Sequence, residues 1–386
     1  MYGIKTYNKI SAVGLDLFDR DAYTVSDDVS EPVGAIVRSA ALHDETFAPS
    51  LLAIARAGAG TNNIPVARCS EEGIVVFNTP GANANAVKEL VLAGLFMSSR
   101  KIVSGVEWAK TLKGNGDAVG KMVEKGKSAF AGPEIRGKKL GVIGLGAIGV
   151  MVANAAHHLG MEVYGYDPYL SLKNAWNLSR NVHSSDMKGI FETCDYITLH
   201  IPLNANTKGT INAQTLATMK DGVRILNFAR DGLVNSADMI AALQSGKVAS
   251  YVVDFPTDEM IGVEGVVCIP HLGASTPESE DNCAVMAAEE LMDYIENGNI
   301  TNSVNLPDIS MPMSTEMRIC VLHRNIPNML TSMTAVLAKD NVNIEHMLNK
   351  SKGEFAYTML DVNTCDRESV AAHIGAIDGI IRVRII

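Results

Sequence analysis

The chain has 386 residues, 47% apolar and 20% charged, and its 43 acidic against 33 basic side chains leave a formal charge of −10. That length holds two or three domains with sizeable cores. The acidic balance excludes a nucleic-acid partner, whose phosphates require a basic face. No stretch reaches the roughly eighteen consecutive apolar residues of a membrane span. The opening MYGIKTYNKI lacks the apolar segment of a secretory leader, so a cytoplasmic location without membrane partners is expected. Six scattered cysteines (69, 194, 268, 283, 320 and 365) form no C-x-x-C pair and read as free thiols; no metal site is expected.

Residues 1 to about 85 alternate short apolar runs with helical patterns (GAIVRSA, LLAIA, VARCSEEG, IVVFNTP), which is α/β material without a phosphate-type glycine loop. From 83 to about 110, Val87, Leu90, Val91, Gly94, Leu95 and Ile102 recur at helical spacing and predict one long buried helix. Residues 114–139, rich in Gly and Lys, read as a loop or linker.

The most informative stretch follows, KLGVIGLGAIGVMVANAAHHLGMEVYGYD at 139–167. A short apolar strand runs into Gly144-x-Gly146-x-x-Gly149, then a helical segment, then a second strand ending on Asp167. Gly144 permits the tight turn, Gly146 clears the backbone for a pyrophosphate, and Gly149 lets helix pack on strand. The pyrophosphate of a dinucleotide would sit on the helix N-terminus. Asp167, eighteen residues after Gly149, suits an adenosine ribose and repels a 2′-phosphate, so NAD is expected rather than NADP.

Strands and helices go on alternating to about 270, the pattern of a doubly wound parallel sheet. Four candidate strands each end on a polar residue: His200 after YITL, Arg230 after ILNFA, Asp254 after YVV and His271 after VVCIP. Ligands of such sheets collect at the carboxyl ends of the strands. Hydride transfer between nicotinamide and a 2-hydroxy acid needs an Arg for the carboxylate, a base for the hydroxyl proton and a carboxylate to tune that base. Arg230, His271 and Glu259 fit these roles, and a carboxylate beside His271 would raise its pKa. Asp258 is the alternative acid.

A long helix is expected from 277 to about 296, then an Asn/Pro-rich linker, NGNITNSVNLPDISMPMS. The final seventy or so residues read β-α-β-β-α-β: strands at 317–322, 342–348, 355–362 and 380–386, helices at 328–339 and 366–377. That order is ferredoxin-like, and so small a core favours pairing with a second copy.

VRS at 37–39, RAGAGTNN at 56–63, NTPGANANAVKE at 78–89, GLGAIG, NFARDGLVN, VVDFPTDE and PHLGAST together resemble the D-2-hydroxyacid dehydrogenase family, and within it the phosphoglycerate-specific members. The resemblance covers essentially the whole chain. It implies a Rossmann-type NAD-binding domain (86–270) inserted in a smaller flavodoxin-like substrate domain (1–85 and 271–306). A C-terminal unit (314–386) resembles an ACT domain. The implied reaction is NAD-dependent oxidation of 3-phospho-D-glycerate to 3-phosphohydroxypyruvate, the opening step of L-serine synthesis, in a homo-oligomer. Carried over residue by residue, Arg230, Glu259 and His271 are catalytic. The cofactor site takes in Gly144, Gly146, Ala147, Ile148, Gly149, Asp167, His200, Ile201, Pro202, Phe228, Ala229, Arg230, Asp254, His271 and Gly273. Substrate contacts are Arg38, Arg56, Gly58, Asn83, Arg230 and His271. His323, Asn325 and Asn343 match positions that bind serine as an effector in relatives. Two departures stand out: Asp231 replaces the usual Gly after the catalytic Arg, and Asn328 replaces the usual Gly after Pro327. The alternatives are a dehydrogenase of glycerate, lactate or 2-hydroxyglutarate, and an NAD-sensing corepressor-type binding protein.

Overall fold

Three sheets carry the chain, which is described here from a computed structural model covering residues 1–386. Two units result, one of Met1–Ala82 with Pro277–Ile386 and one of Asn83–Thr276.

In the first unit, five parallel strands lie in the order Tyr23–Ser26, Tyr2–Tyr7, Gly34–Val37, Ala53–Arg56, Val75–Asn78, the flavodoxin-like 2-1-3-4-5 arrangement. The long helix Pro277–Asn297 covers one face with Ala284, Ala287, Ala288, Leu291 and Ile295. Its alanines permit close approach, and each larger side chain so buried contributes about 1.5–3 kcal/mol. The expected linker after this helix is ordered. Asn305 is buried, donates to Ile74 O and Ser70 Oγ and accepts from Val76 N, so one amide side chain satisfies backbone at the sheet edge.

The tail forms the antiparallel sheet Ile344–Lys352, Phe355–Val362, Met317–Arg324, Ile380–Ile385, the ferredoxin-like arrangement. One face packs Ile319, Val321, Leu360 and Val362 under the helices Met329–Lys339 and Arg367–Gly375. The other face places Cys320, Leu322, Tyr357 and Met359 in the same core as Leu291 and Tyr294. The marginal core expected of so short a segment is thus completed from within the chain. On that face the fully buried Arg318 forks onto Asp361 (2.6 and 3.0 Å) and donates to Asn297 O at 2.8 Å. Arg384 donates to Tyr294 O (3.2 Å) and Ile295 O (2.8 Å), and Tyr357 Oη to Gly298 O (2.9 Å). Asn328 takes a left-handed conformation (φ 69°, ψ 2°) at the start of its helix, the backbone a Gly would supply and one Asn tolerates.

The second unit is a seven-stranded parallel sheet in the order Val266–Cys268, Val248–Val253, Val223–Asn227, Tyr196–Leu199, Lys139–Ile143, Glu162–Tyr166, His183–Ser184. Its inner strands are apolar nearly throughout because helices cover both faces. The order reverses between Lys139–Ile143 and Tyr196–Leu199, the point where a doubly wound sheet opens a crevice. Two expectations need correction here. The single long helix is two, Ala84–Arg100 and Ile102–Lys110, broken at Lys101 (φ 47°); the first buries Val87, Val91 and Leu95, the second buries nothing. The segment read as a loop contains the short helices Gly116–Ala118, Val119–Gly126 and Lys127–Phe130, held by the ring pair Trp108–Phe130.

Candidate active site

The glycine loop of the second unit behaves as its sequence requires. Gly144 sits at φ 94° and donates to Tyr166 O at 2.8 Å; a Cβ there would lie 2.5 Å from His200 O. A Cβ at Gly149 would lie 1.9 Å from Gly144 O, so only Gly lets the helix Ala147–His158 close onto the loop. Beyond Gly146 a Cβ would meet nothing within 4 Å, and no side chain caps the helix there. Its first-turn N–H groups, with Ala147 and Ile148, therefore face an open surface suited to a pyrophosphate. Asp167 ends the second strand, accepting from Leu145 N and Tyr169 N, both at 2.8 Å. Open cradle, uncapped helix and strand-end acid fit the pyrophosphate and adenosine ribose of NAD.

Four strand ends deliver the other groups. His200 Nε2 lies 3.0 Å from Thr198 Oγ1, and burial pulls its pKa down to about 4, so it is neutral near pH 7. Ile201 and Pro202 continue that strand end. Asn227 organises the next loop: its Nδ2 donates to Arg230 O (3.0 Å) and its Oδ1 accepts from Ala229 N (3.2 Å). That explains why Asn stands three residues before Arg in the motif. Phe228 is buried beneath, and the exposed Arg230 folds back so that Nη1 donates to Ala229 O at 2.7 Å. Asp231 Oδ1 accepts from Gly232 N at 2.8 Å.

Asp254 is 1% exposed and its Oδ1 has no hydrogen-bond partner. Burial pushes its pKa up to about 6, against the opposing charge of Arg230. His271 is exposed, its ring 4.7 Å from that of Phe255, while Gly273 is buried against Val87. Partial burial and then the Arg230 charge lower the His271 pKa. Arg230, at the neighbouring strand end, is thus near enough for its charge to act on both Asp254 and His271.

Glu259 does not join them. It is exposed, as is Asp258, and neither makes a hydrogen bond or ion pair to His271. The expected rise in the imidazole pKa is therefore replaced by a fall. An exposed loop carboxylate takes its direction from solvent when no partner holds it.

The remaining sequence-predicted residues are placed as follows. Asn83 opens the helix Ala84–Arg100 without a side-chain capping bond. On the first unit, Arg38 follows the strand Gly34–Val37 and its Nη2 pairs with Glu280 Oε1 at 2.6 Å, a partner the sequence reading missed. Arg56 Nε donates to Arg38 O at 3.1 Å. Gly58, at φ 141°, makes room for that side chain: a Cβ would lie 1.7 Å from Arg56 Nη1. In the tail, His323 is buried with its ring nitrogens 2.8 Å from Arg324 O and 2.9 Å from Thr358 Oγ1. Asn325 Nδ2 donates to Gly353 O, and Asn343 Nδ2 to Glu345 Oε1. No helix is long and apolar enough to cross a membrane, and no group of three or more His, Cys, Asp or Glu is arranged to hold a metal.

A dinucleotide cradle at the switch point of a parallel sheet, with Arg230, Asp254 and His271 at neighbouring strand ends, defines an NAD-dependent dehydrogenase. Residues 92–273 match the sequence model of the D-isomer specific 2-hydroxyacid dehydrogenase NAD binding domain. A D-3-phosphoglycerate dehydrogenase of Haemophilus influenzae is 31% identical over 351 residues, 88% of this chain and 82% of its own. The chain belongs to the D-isomer specific 2-hydroxyacid dehydrogenase family. The Rattus norvegicus D-3-phosphoglycerate dehydrogenase is 34% identical over 290 residues, 73% of this chain and 52% of its own. Among solved structures, the NAD+-bound 3-phosphoglycerate dehydrogenase of Entamoeba histolytica covers 79% of this chain and 98% of its own, with a TM-score of 0.60 and 25% identity.

Proposed function

We propose that the chain oxidises 3-phospho-D-glycerate to 3-phosphohydroxypyruvate, the reaction class that opens L-serine synthesis, in the cytoplasm and as a homo-oligomer. The observation that carries this reading is Arg230, Asp254 and His271 at neighbouring strand ends, in a chain whose near relatives over most of its length bear the name D-3-phosphoglycerate dehydrogenase. When bound, NAD supplies the hydride acceptor.

The side chains do the rest. Arg230 holds the substrate carboxylate as a two-pronged donor, which requires the guanidinium to leave Ala229 O. His271 takes the hydroxyl proton. Its lowered pKa leaves the imidazole neutral near pH 7, the form a base for alcohol oxidation needs. Asp254, buried with a free acceptor oxygen, receives an amide N–H of the nicotinamide. Arg38 binds the phosphate end of the substrate.

NADH consumption by the purified chain against a panel of 2-oxo acids with and without a phosphate tests this. The reading expects 3-phosphohydroxypyruvate to give the highest kcat/KM. A higher value for glyoxylate, pyruvate or 2-oxoglutarate reassigns the substrate. Glu259 standing apart from His271 is the one observation that favours the binding-protein reading, and absence of turnover on the whole panel with retained NADH binding would establish it.

A further inference from the structure

We infer that Glu280 is a specificity-determining residue: its carboxylate masks Arg38, and a ligand must displace it to reach the guanidinium. The inference rests on the reading of Arg38 as the phosphate ligand. It adds a competing internal anion, and both residues belong to the first unit.

Arg38 stands at the carboxyl end of a central strand, the second guanidinium of its neighbourhood being Arg56, whose Nε holds the Arg38 carbonyl. The backbone of Arg38 is thus pinned while its side chain is free to choose a partner. The partner is Glu280, in the first turn of the helix Pro277–Asn297, with Nη2 and Oε1 2.6 Å apart. The pair is charge-assisted and short but not enclosed: the two side chains retain 39% and 43% of their exposure. A solvated pair of this kind is weak enough for a stronger anion to break.

The two ends of the exchange differ by charge. A phosphate monoester carries close to two negative charges at neutral pH and three acceptor oxygens, against one charge and two oxygens for Glu280. It wins Arg38 where a carboxylate or hydroxyl end merely matches or loses to the resident. Glu280 therefore weakens binding of the phosphorylated substrate, which must displace it and then lies beside the repelling carboxylate, whereas a hydroxyl end that leaves the pair intact is little affected. Removing its charge lifts both the competition and the repulsion and leaves Arg38 open to the dianion.

The test compares KM for 3-phosphohydroxypyruvate with KM for hydroxypyruvate in wild type, Glu280→Gln, Arg38→Ala and the double variant. Masking predicts that Glu280→Gln lowers the phosphorylated-to-unphosphorylated KM ratio by about three- to fivefold, and that the effect vanishes in the Arg38→Ala background. Glu280→Asp, which keeps the charge but shortens the reach, gives an intermediate ratio and serves if the Gln variant folds poorly. An unchanged ratio in Glu280→Gln, with a raised ratio in Arg38→Ala, overturns masking and leaves the phosphate reading standing. An unchanged ratio in Arg38→Ala overturns both. A Glu280→Gln effect of equal size with and without Arg38 also overturns masking, because Glu280 then acts elsewhere.

Discussion

Asp167 Oδ2 accepts the backbone N–H of Leu145 at 2.8 Å, so the acid that ends the second strand also ties down the middle of the glycine loop. Asp167→Ala removes a ribose acceptor, a repulsive charge and a loop anchor together. KM for NADH should rise by about tenfold, and the preference over NADPH should narrow. Asp167→Asn keeps an acceptor for Leu145 and should retain more NADH affinity than the Ala variant. Equal KM values for NADH and NADPH in wild type would show that Asp167 does not face the ribose.

His271→Ala should lower turnover by about two to four orders of magnitude with NADH affinity nearly unchanged. Because the imidazole pKa is lowered, the oxidative kcat/KM should climb with pH to a plateau, its midpoint below the ordinary value of 6.5. The reductive rate, which needs the protonated ring, should fall across the same interval. A midpoint above 6.5 would mean that a carboxylate, Glu259 first among the candidates, reaches His271 in the working complex.

Glu290 makes stability depend on pH in the opposite sense from a surface acid. Burial raises its pKa from 4.5 to about 8, opposed by the hydrogen bond from Asn302 (2.7 Å). The fold then binds a proton that the unfolded chain has released, so stability is full below about pH 4.5 and declines until pH reaches about 8. Glu290→Gln should melt with wild type at pH 4 and exceed it at pH 8 by about 2–4 kcal/mol in denaturant titrations. Equal stability at pH 8 would mean that Glu290 is hydrated.

Arg318 and Asp361 form a pair with no exposure on either side chain. Burial opposes ionisation of Asp361, but the Arg318 and Ser314 hydrogen bonds and the Arg318 charge outweigh it and hold the pKa below its ordinary value. The contribution is present above an unfolded-state value near 3.9 and is lost as pH falls through the lower folded value. Arg318→Met strands a buried carboxylate and should cost about 3–5 kcal/mol, whereas Arg318→Met with Asp361→Leu should recover much of that. Additive losses in the double variant would count against the pair.

L-Serine titrated into the forward assay should inhibit wild type and act more weakly on Asn325→Ala. His323 is already committed to Arg324 O and Thr358 Oγ1, so the exposed Asn325 is the better probe of an effector contact. Full activity in millimolar-range serine would leave the tail without this role.

The cradle from Gly144 to Asp167 was legible because each residue type there answers a local demand: a left-handed turn, a close approach, an acceptor at a strand end. The strand-end quartet was legible because apolar runs in a buried parallel sheet stop where the chain meets solvent. Other features had no such local signal. The break at Lys101 lies inside an apolar pattern that continues into Ile102 and Val106, although only the first helix finds a surface to bury it. Glu280 lies far from Arg38 in sequence, and nothing in PESED announces which cation it meets. Glu259 is a different case, since spacing puts it on the loop after Asp254 and leaves the direction of its side chain open.

The helix Pro277–Asn297 ends with no basic residue in its last turn, and cations from the tail sheet supply what is missing there. That makes the tail a poor candidate for transplantation. Cut away at residue 313, the helix would keep bare carbonyls at Ile295, Asn297 and Gly298 and an uncovered Leu291 and Tyr294. A foreign module grafted onto that stump would have to bring two arginines and a tyrosine at the same register before it could bring any activity of its own. Chimaeras of this chain should therefore keep the tail with both the helix and the five-stranded sheet that the helix covers, the whole of the first unit.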